Sequence, residues 1–417
     1  MNGSGVAISA LLFVALALAM GFATSRFGMG LKANTLIFLP LVLLAIWVGD
    51  VLAVDGGLLP ALLGSEKNSW NIVLIGYCLV AAVTPVWVLL QPRDYLSSWL
   101  LYLSVLGAGL GLTIGAVMGS ASVAASWPAL VNPSEVTALG VPHLGPLFPI
   151  LFITVACGAC SGFHSIVASG TTAKQIRCET DTRRVGYGAM LIEGVVAVIA
   201  LSTVMVLSFG SDALGSNPIT VYAAGIGQFL GAFGVNPRFG SHFGLLALST
   251  FLLTTLDTCT RLTRYVVQEA FSWTKNDRTD RVLSTLAALA LPAILVFMTY
   301  ADPATGTVMP AWRAVWPVFG ATNQLLAALA LLAVTVWLKR TGRTWLFAGL
   351  PMAFMLVMTM SALALLIWQN GLSLIGVISS VLFILGLTLA IEAARAFRLD
   401  ELEPETVVLK PVEASGD

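Results

Sequence analysis

Residues 4–24 contain no charged side chain, and neither do residues 97–118 or 345–368. A helix needs about 20 apolar residues to cross the hydrocarbon core of a bilayer. Runs of that length recur along the whole chain. They leave little room for any other kind of fold. Composition agrees: 58% of the 417 residues are hydrophobic and 10% are charged. Soluble domains carry about one quarter charged residues. Too little polar surface remains to coat a water-soluble particle, so a soluble enzyme is excluded. Nucleic-acid binding is excluded as well, because it needs a basic face and here 21 Lys+Arg balance 21 Asp+Glu. The alternation of a β-barrel is absent. The expected fold class is therefore an all-α polytopic membrane protein.

Polar and Gly/Pro-rich interruptions divide the chain into eleven expected spans: 4–24, 33–54, 70–91, 97–118, 147–169, 185–209, 243–271, 281–301, 314–338, 345–368 and 371–396. With the N-terminus outside and the loops alternating, the outer segments hold only Lys67, Arg238 and Arg313. The other eighteen of the 21 basic residues lie inside. That bias follows the positive-inside rule and predicts an N-out, C-in chain. The transmembrane domain is expected over 1–398. The acidic, polar tail 399–417 is expected to be disordered. None of the five cysteines falls in an outer loop, so no disulfide framework is predicted.

Two smaller features concern packing. Pro218 to Gly234, in the outer segment 210–242, reads as an interfacial or re-entrant helix, with an ordinary loop as the alternative. Gly107, Gly111, Gly115 and Gly119 recur every fourth residue. They line one helix face that admits a close neighbour, either another helix of this chain or a second copy.

Polar groups inside a membrane need a partner, a cavity or a function. Four places qualify. In 147–172, Gly158, Ser161, Gly162, Ser169, Gly170, Thr171 and Thr172 interrupt an apolar run around His164. Such a stretch reads as a broken helix offering backbone groups to a substrate or ion, or as a helix packed through small residues. Cys157, Cys160 and His164 share a face but supply three metal ligands at most, so no metal site is assigned. Glu193 lies about 12 Å from the inner end of its span and Asp257 about 10 Å. Either carboxyl can serve as a proton carrier or as half of a structural pair. Arg261 follows Asp257 at i+4, the spacing of an ion pair within one helix. Arg264, one turn beyond, is expected to snorkel to the inner surface. Asn323 and Gln324 fall near the midplane, where amides either ligate a substrate or bond across helices. Arg93 and Asp94, at an inner helix end, read as a gate pair or as a positive-inside anchor.

Five stretches carry a family resemblance: VLIGYCLVAAVTPVWVLLQPRDYLSSWL (73–100), LFPILFITVACGACSGFHSIVASGTTAKQI (147–176), VGYGAMLIEGVVAVIAL (185–201), LTTLDTCTRLTRYVVQEAF (253–271) and AVWPVFGATNQLLAALAL (314–331). In this order they resemble the carbon starvation protein A (CstA) family, from about residue 33 to 340. The resemblance implies a bacterial inner-membrane transporter with a LeuT-like helical bundle. It also implies uptake of pyruvate or short peptides under carbon starvation, coupled to protons and without a cofactor; the hydroxyls and carbonyls near the helix break would serve Na⁺ as coupling ion equally well. Carried over by position, Ser161, Gly162, His164, Ser169, Gly170, Thr171 and Thr172 form the substrate segment, and Pro92, Arg93, Asp94 and Tyr95 the PRDY segment. Glu193 and Asp257 are the membrane acids. Asn323 and Gln324 join the substrate set, and His164 is a further proton carrier.

The family's His-His segment and AGAGP-type break are not found in this sequence. Two expectations follow. The chain transports by itself, or it is a membrane subunit or scaffold that needs a second chain or a homo-oligomer. An enzyme is not expected, because no HExxH motif or cofactor loop occurs.

Overall fold

A computed structural model describes residues 3–52, 58–62, 64–119, 148–149, 153, 160–206, 218–271, 273–274, 276–301 and 308–398. Nine helices among the described residues are long and apolar enough to cross a membrane. They are α1 (Gly3–Phe27), α2 (Leu31–Val51), α4 (Leu90–Val117), α6 (Ala189–Met205), α8 (Pro237–Phe271), α9 (Asp277–Phe297), α10 (Ala311–Arg340), α11 (Leu346–Asn370) and α12 (Leu374–Arg398). Shorter elements are α3 (Glu66–Val83), α5 (Gly162–Val167) and α7 (Pro218–Gly231). Two π-helical turns, Ala168–Thr172 and Arg183–Gly188, follow α5 and precede α6. A two-stranded ribbon pairs Thr299–Ala301 (β1) with Val308–Pro310 (β2). The chain is thus an all-α polytopic membrane protein.

One of the eleven expected spans is cut short. The span expected at 70–91 ends early. Pro85 disfavours helical geometry at Thr84, which is extended at φ −67°, ψ 143°. Helix α3 stops there, and α4 begins at Leu90 rather than at 97. Pro92 is then the third residue of α4, where a missing N–H leaves no bond unmade. Part of the span expected at 147–169, with Cys157 and Gly158, lies outside the described residues, as does the tail 399–417.

The chain divides into two compact units, Met1–His143 with Gln175–Thr299, and Leu144–Lys174 with Tyr300–Asp417. The first unit packs around Phe13, Phe38, Ile46, Leu100, Phe229 and Leu246, all buried. The second packs Ala321 and Leu325 of α10 against Leu363 and Leu366 of α11. Many large apolar side chains point outward, including Leu36, Phe347 and Leu385. An outward apolar face suits helices whose solvent is lipid.

The glycine face of α4 meets a neighbour inside this chain. A Cβ added at Gly111 would collide with the backbone carbonyl of Phe229 on α7, and one at Gly107 would press on Leu230 at 2.8 Å. The segment from Pro218 is a helix, and it buries Val221, Ala223, Ile226 and Phe229. It packs against α4, α6 and α8.

Candidate functional site

Arg93, in the first turn of α4, is 0% exposed, and Asp257, midway along α8, is 1% exposed. The Arg93 guanidinium donates to the Asp257 carboxylate and to the Tyr77 hydroxyl of α3. Tyr77 in turn donates to Asp257 Oδ2 at 2.9 Å. A second carboxylate completes the cluster. Arg93 Nη2 lies 3.3 Å from Asp94 Oδ1, and Thr254 Oγ1 donates to the same oxygen at 3.0 Å. Asp94 is partly open, with its side chain 38% exposed. Three helices therefore converge on one guanidinium and two carboxylates, one sealed and one accessible. Asp257 Oδ1 is buried and accepts no bond from any described residue.

This arrangement corrects the expected Asp257–Arg261 pair. Arg261 turns away and donates through Nη2 to Ala81 O at 2.7 Å and to Thr84 O at 2.8 Å. The reason lies in α3. Within a helix, the Ala81 carbonyl would receive the N–H of residue 85, but that residue is proline and has none. The next carbonyl, Ala82 O, accepts from Arg264 Nη1 at 2.9 Å. Arg264 is 4% exposed, so it does not snorkel; it closes the end of a broken helix. Full burial also removes Arg93 from the role of interfacial anchor.

In the second unit, Asn323 of α10 holds the start of α5. Its Oδ1 accepts from Phe163 N at 2.8 Å and from Ser161 Oγ at 3.2 Å. Gln324 Nε2 reaches Ile153 O at 3.5 Å. Asn323 thus occupies a donor that an N-terminal helix turn leaves open, while Gln324 donates to a carbonyl. Gly162 sits so close to α10 that a Cβ there would strike the Asn323 backbone carbonyl. His164 and Ser169 are exposed, while Gly170, Thr171 and Thr172 are half-buried. Ser169 and Thr171 bond back to Ile166 O and Val167 O of their own helix. The SGTT stretch is not extended; it continues the helix as a π-turn, a geometry frequent at functional sites.

Glu193 lies on an exposed face of α6 beside Leu191, Val195 and Val198. It joins no ion pair among the described residues. The structure thus brings Arg93, Asp94 and Asp257 together and leaves Glu193 apart. Sequence reasoning missed Tyr77. The available signal was a single phenol within the apolar stretch 72–83 of α3.

Comparison with known proteins adds an independent line. A family model described as "Carbon starvation protein CstA" matches residues 2–214 and 211–362. The chain is 30% identical to the pyruvate/proton symporter BtsT of Escherichia coli, over 81% of this chain and 56% of that protein. It is 31% identical to the peptide transporter CstA of Escherichia coli, over 72% of this chain and 49% of that protein. It is 29% identical to the peptide transporter CstA of Bacillus subtilis, over 79% and 60% respectively. The chain spans about half the length of these relatives. No solved structure matches it. Family model and relatives agree over most of the described helices: this chain belongs to the carbon starvation protein CstA family.

Proposed function

We propose that the chain works as a secondary active transporter of the bacterial inner membrane, importing pyruvate or short peptides together with a proton. The reading combines the names of its relatives with one observation, the buried Arg93–Asp257 pair bridged by Tyr77. Buried charges in spanning helices are costly and mark ion or proton pathways. Here one guanidinium faces two carboxylates, which leaves one excess negative charge in the cluster. A single bound proton cancels it. Protonation of Asp257 weakens its hold on Arg93 and leaves Asp94 as the remaining partner. Arg93 then has two alternative pairings, the requirement for an element that a proton can bias. The LeuT-like bundle, and substrate contacts along 161–172, belong to the same proposal.

The test is uptake of labelled pyruvate and of a labelled dipeptide into proteoliposomes holding this chain. An inward proton gradient is expected to drive accumulation of at least one of them. Equal uptake with and without the gradient, for both substrates, rejects the reading.

A further inference from the structure

A cavity of about 460 Å³ lies in the first unit, one helix turn beyond Asp257. It opens where α3 breaks off, between the C-terminal half of α8 and the start of α9. Its charged lining is Arg261, Arg264, Arg281 and Asp277, joined by Gln268 and Tyr265. Arg264 also stacks on the Tyr265 ring, 4.6 Å from its centroid.

The charges do not balance. Three arginines line the cavity against one aspartate. None of the three forms an ion pair with a described residue. Arg261 and Arg264 are each 4% exposed and donate to backbone carbonyls at the C-terminal end of α3. The nearby carboxylate of Asp280 is turned to Gln268 Nε2 at 2.8 Å and to the backbone of Thr274. Carbonyl dipoles offset part of a buried cation's desolvation cost, but a neutralising anion offsets more. A volume of this size suits a small ligand.

We infer that this cavity binds the carboxylate group of a small organic anion, with Arg264 and Arg281 as its charged contacts. The inference rests on the transport reading and deepens it, by locating a substrate carboxylate about two helix turns, ~10 Å along α8, from the Arg93–Asp257 pair. Arg281 is the adaptable member. It stands in the first turns of α9, is exposed, and its guanidinium donates to no carbonyl of α3. Arg261 is committed to two carbonyls and supplies field rather than direct contact.

The test is calorimetric titration of the purified full chain with pyruvate and with dialanine. Each is paired with its carboxyl-amidated counterpart, and inorganic phosphate is a further titrant. At least one free carboxylate is expected to bind, with its amide weaker by about tenfold or more, the loss of one charge-assisted hydrogen bond. Arg281→Gln, which spares the α3 contacts, is expected to weaken that binding by about tenfold, and Arg264→Gln by at least as much. The inference is overturned by any of four results: no binding, amides as tight as acids, phosphate as tight as carboxylate, or wild-type affinity in Arg281→Gln. The two readings separate cleanly. Carboxylate binding without gradient-driven uptake rejects the transport reading alone. Gradient-driven uptake with affinity unchanged in Arg281→Gln rejects the site alone.

Discussion

Tyr77 and Asp257 lie 180 residues apart in the chain and share a hydrogen bond of 2.9 Å. The bond ties α3 to α8 at the point where Arg93 enters from α4. Removing its parts has graded consequences. Tyr77→Phe deletes one donor to a buried carboxylate and is expected to cost about 1–3 kcal/mol. Asp257→Asn strips Arg93 of its sealed partner and is expected to cost about 3–5 kcal/mol, with loss of gradient-driven uptake. Arg93→Gln combined with Asp257→Asn should destabilise less than the two single changes added together, because neither leaves a lone buried charge. Thermal unfolding in detergent and uptake in proteoliposomes measure both effects. Additive losses would show that the pair is not coupled.

Arg261 answers to Pro85. Arg261→Gln removes the charged donor from Ala81 O and Thr84 O and is expected to lower stability by about 2 kcal/mol. Pro85→Ala restores the N–H that the Ala81 carbonyl lacks. In that background the same Arg261→Gln should cost measurably less. An undiminished cost would separate the arginine from the helix break.

Asn323 acts as a remote cap. Asn323→Ala leaves Phe163 N without its acceptor and is expected to destabilise the second unit by about 1–2 kcal/mol. Asn323→Asp keeps the acceptor and should recover most of that loss. Hydrogen exchange at the Phe163 amide gives a local reading, with faster exchange expected in the alanine variant only.

Gly111 faces the carbonyl of Phe229, so Gly111→Val should separate α4 from α7 and cost about 2–3 kcal/mol of overpacking. Gly109, whose added Cβ meets only Ile199 at 4.0 Å, provides the control. Gly109→Ala is expected to be nearly neutral. Equal effects at both positions would contradict the close approach.

Glu193 offers the contrast with Asp257. It is exposed on α6, so Glu193→Gln should change neither stability nor the gradient dependence of uptake by more than about twofold. Loss of coupling in this variant would move the proton step away from the Arg93 cluster.

Much of this molecule is legible in its residues. The apolar run of 4–24 lies within α1, and those of 97–118 and 345–368 match α4 and α11 except for Met118 and Trp345, which cap them. The helix from Pro218 and the close packing of the α4 glycines follow from residue type and spacing. Pro85 carried the information that α3 must stop, but its weight against the apolar run of 70–91 was not evident from the run alone. Arg261 shows the opposite failure. Its i+4 spacing from Asp257 favoured a local pair, and a carbonyl orphaned by a proline on another helix drew it away. Asn323 likewise gave no sign that its partner was the backbone of Phe163.

By itself, the sequence determined that this chain is a bundle of membrane-spanning helices, because its apolar runs leave no other way to satisfy the backbone. It also singled out charges inside the spans that need a partner, Asp257 among them. Only the tertiary structure decided which of them face each other. Arg93, Tyr77 and Asp257 come from three helices, and the energy of a buried pair depends on distance across the bundle, which spacing along one helix does not contain.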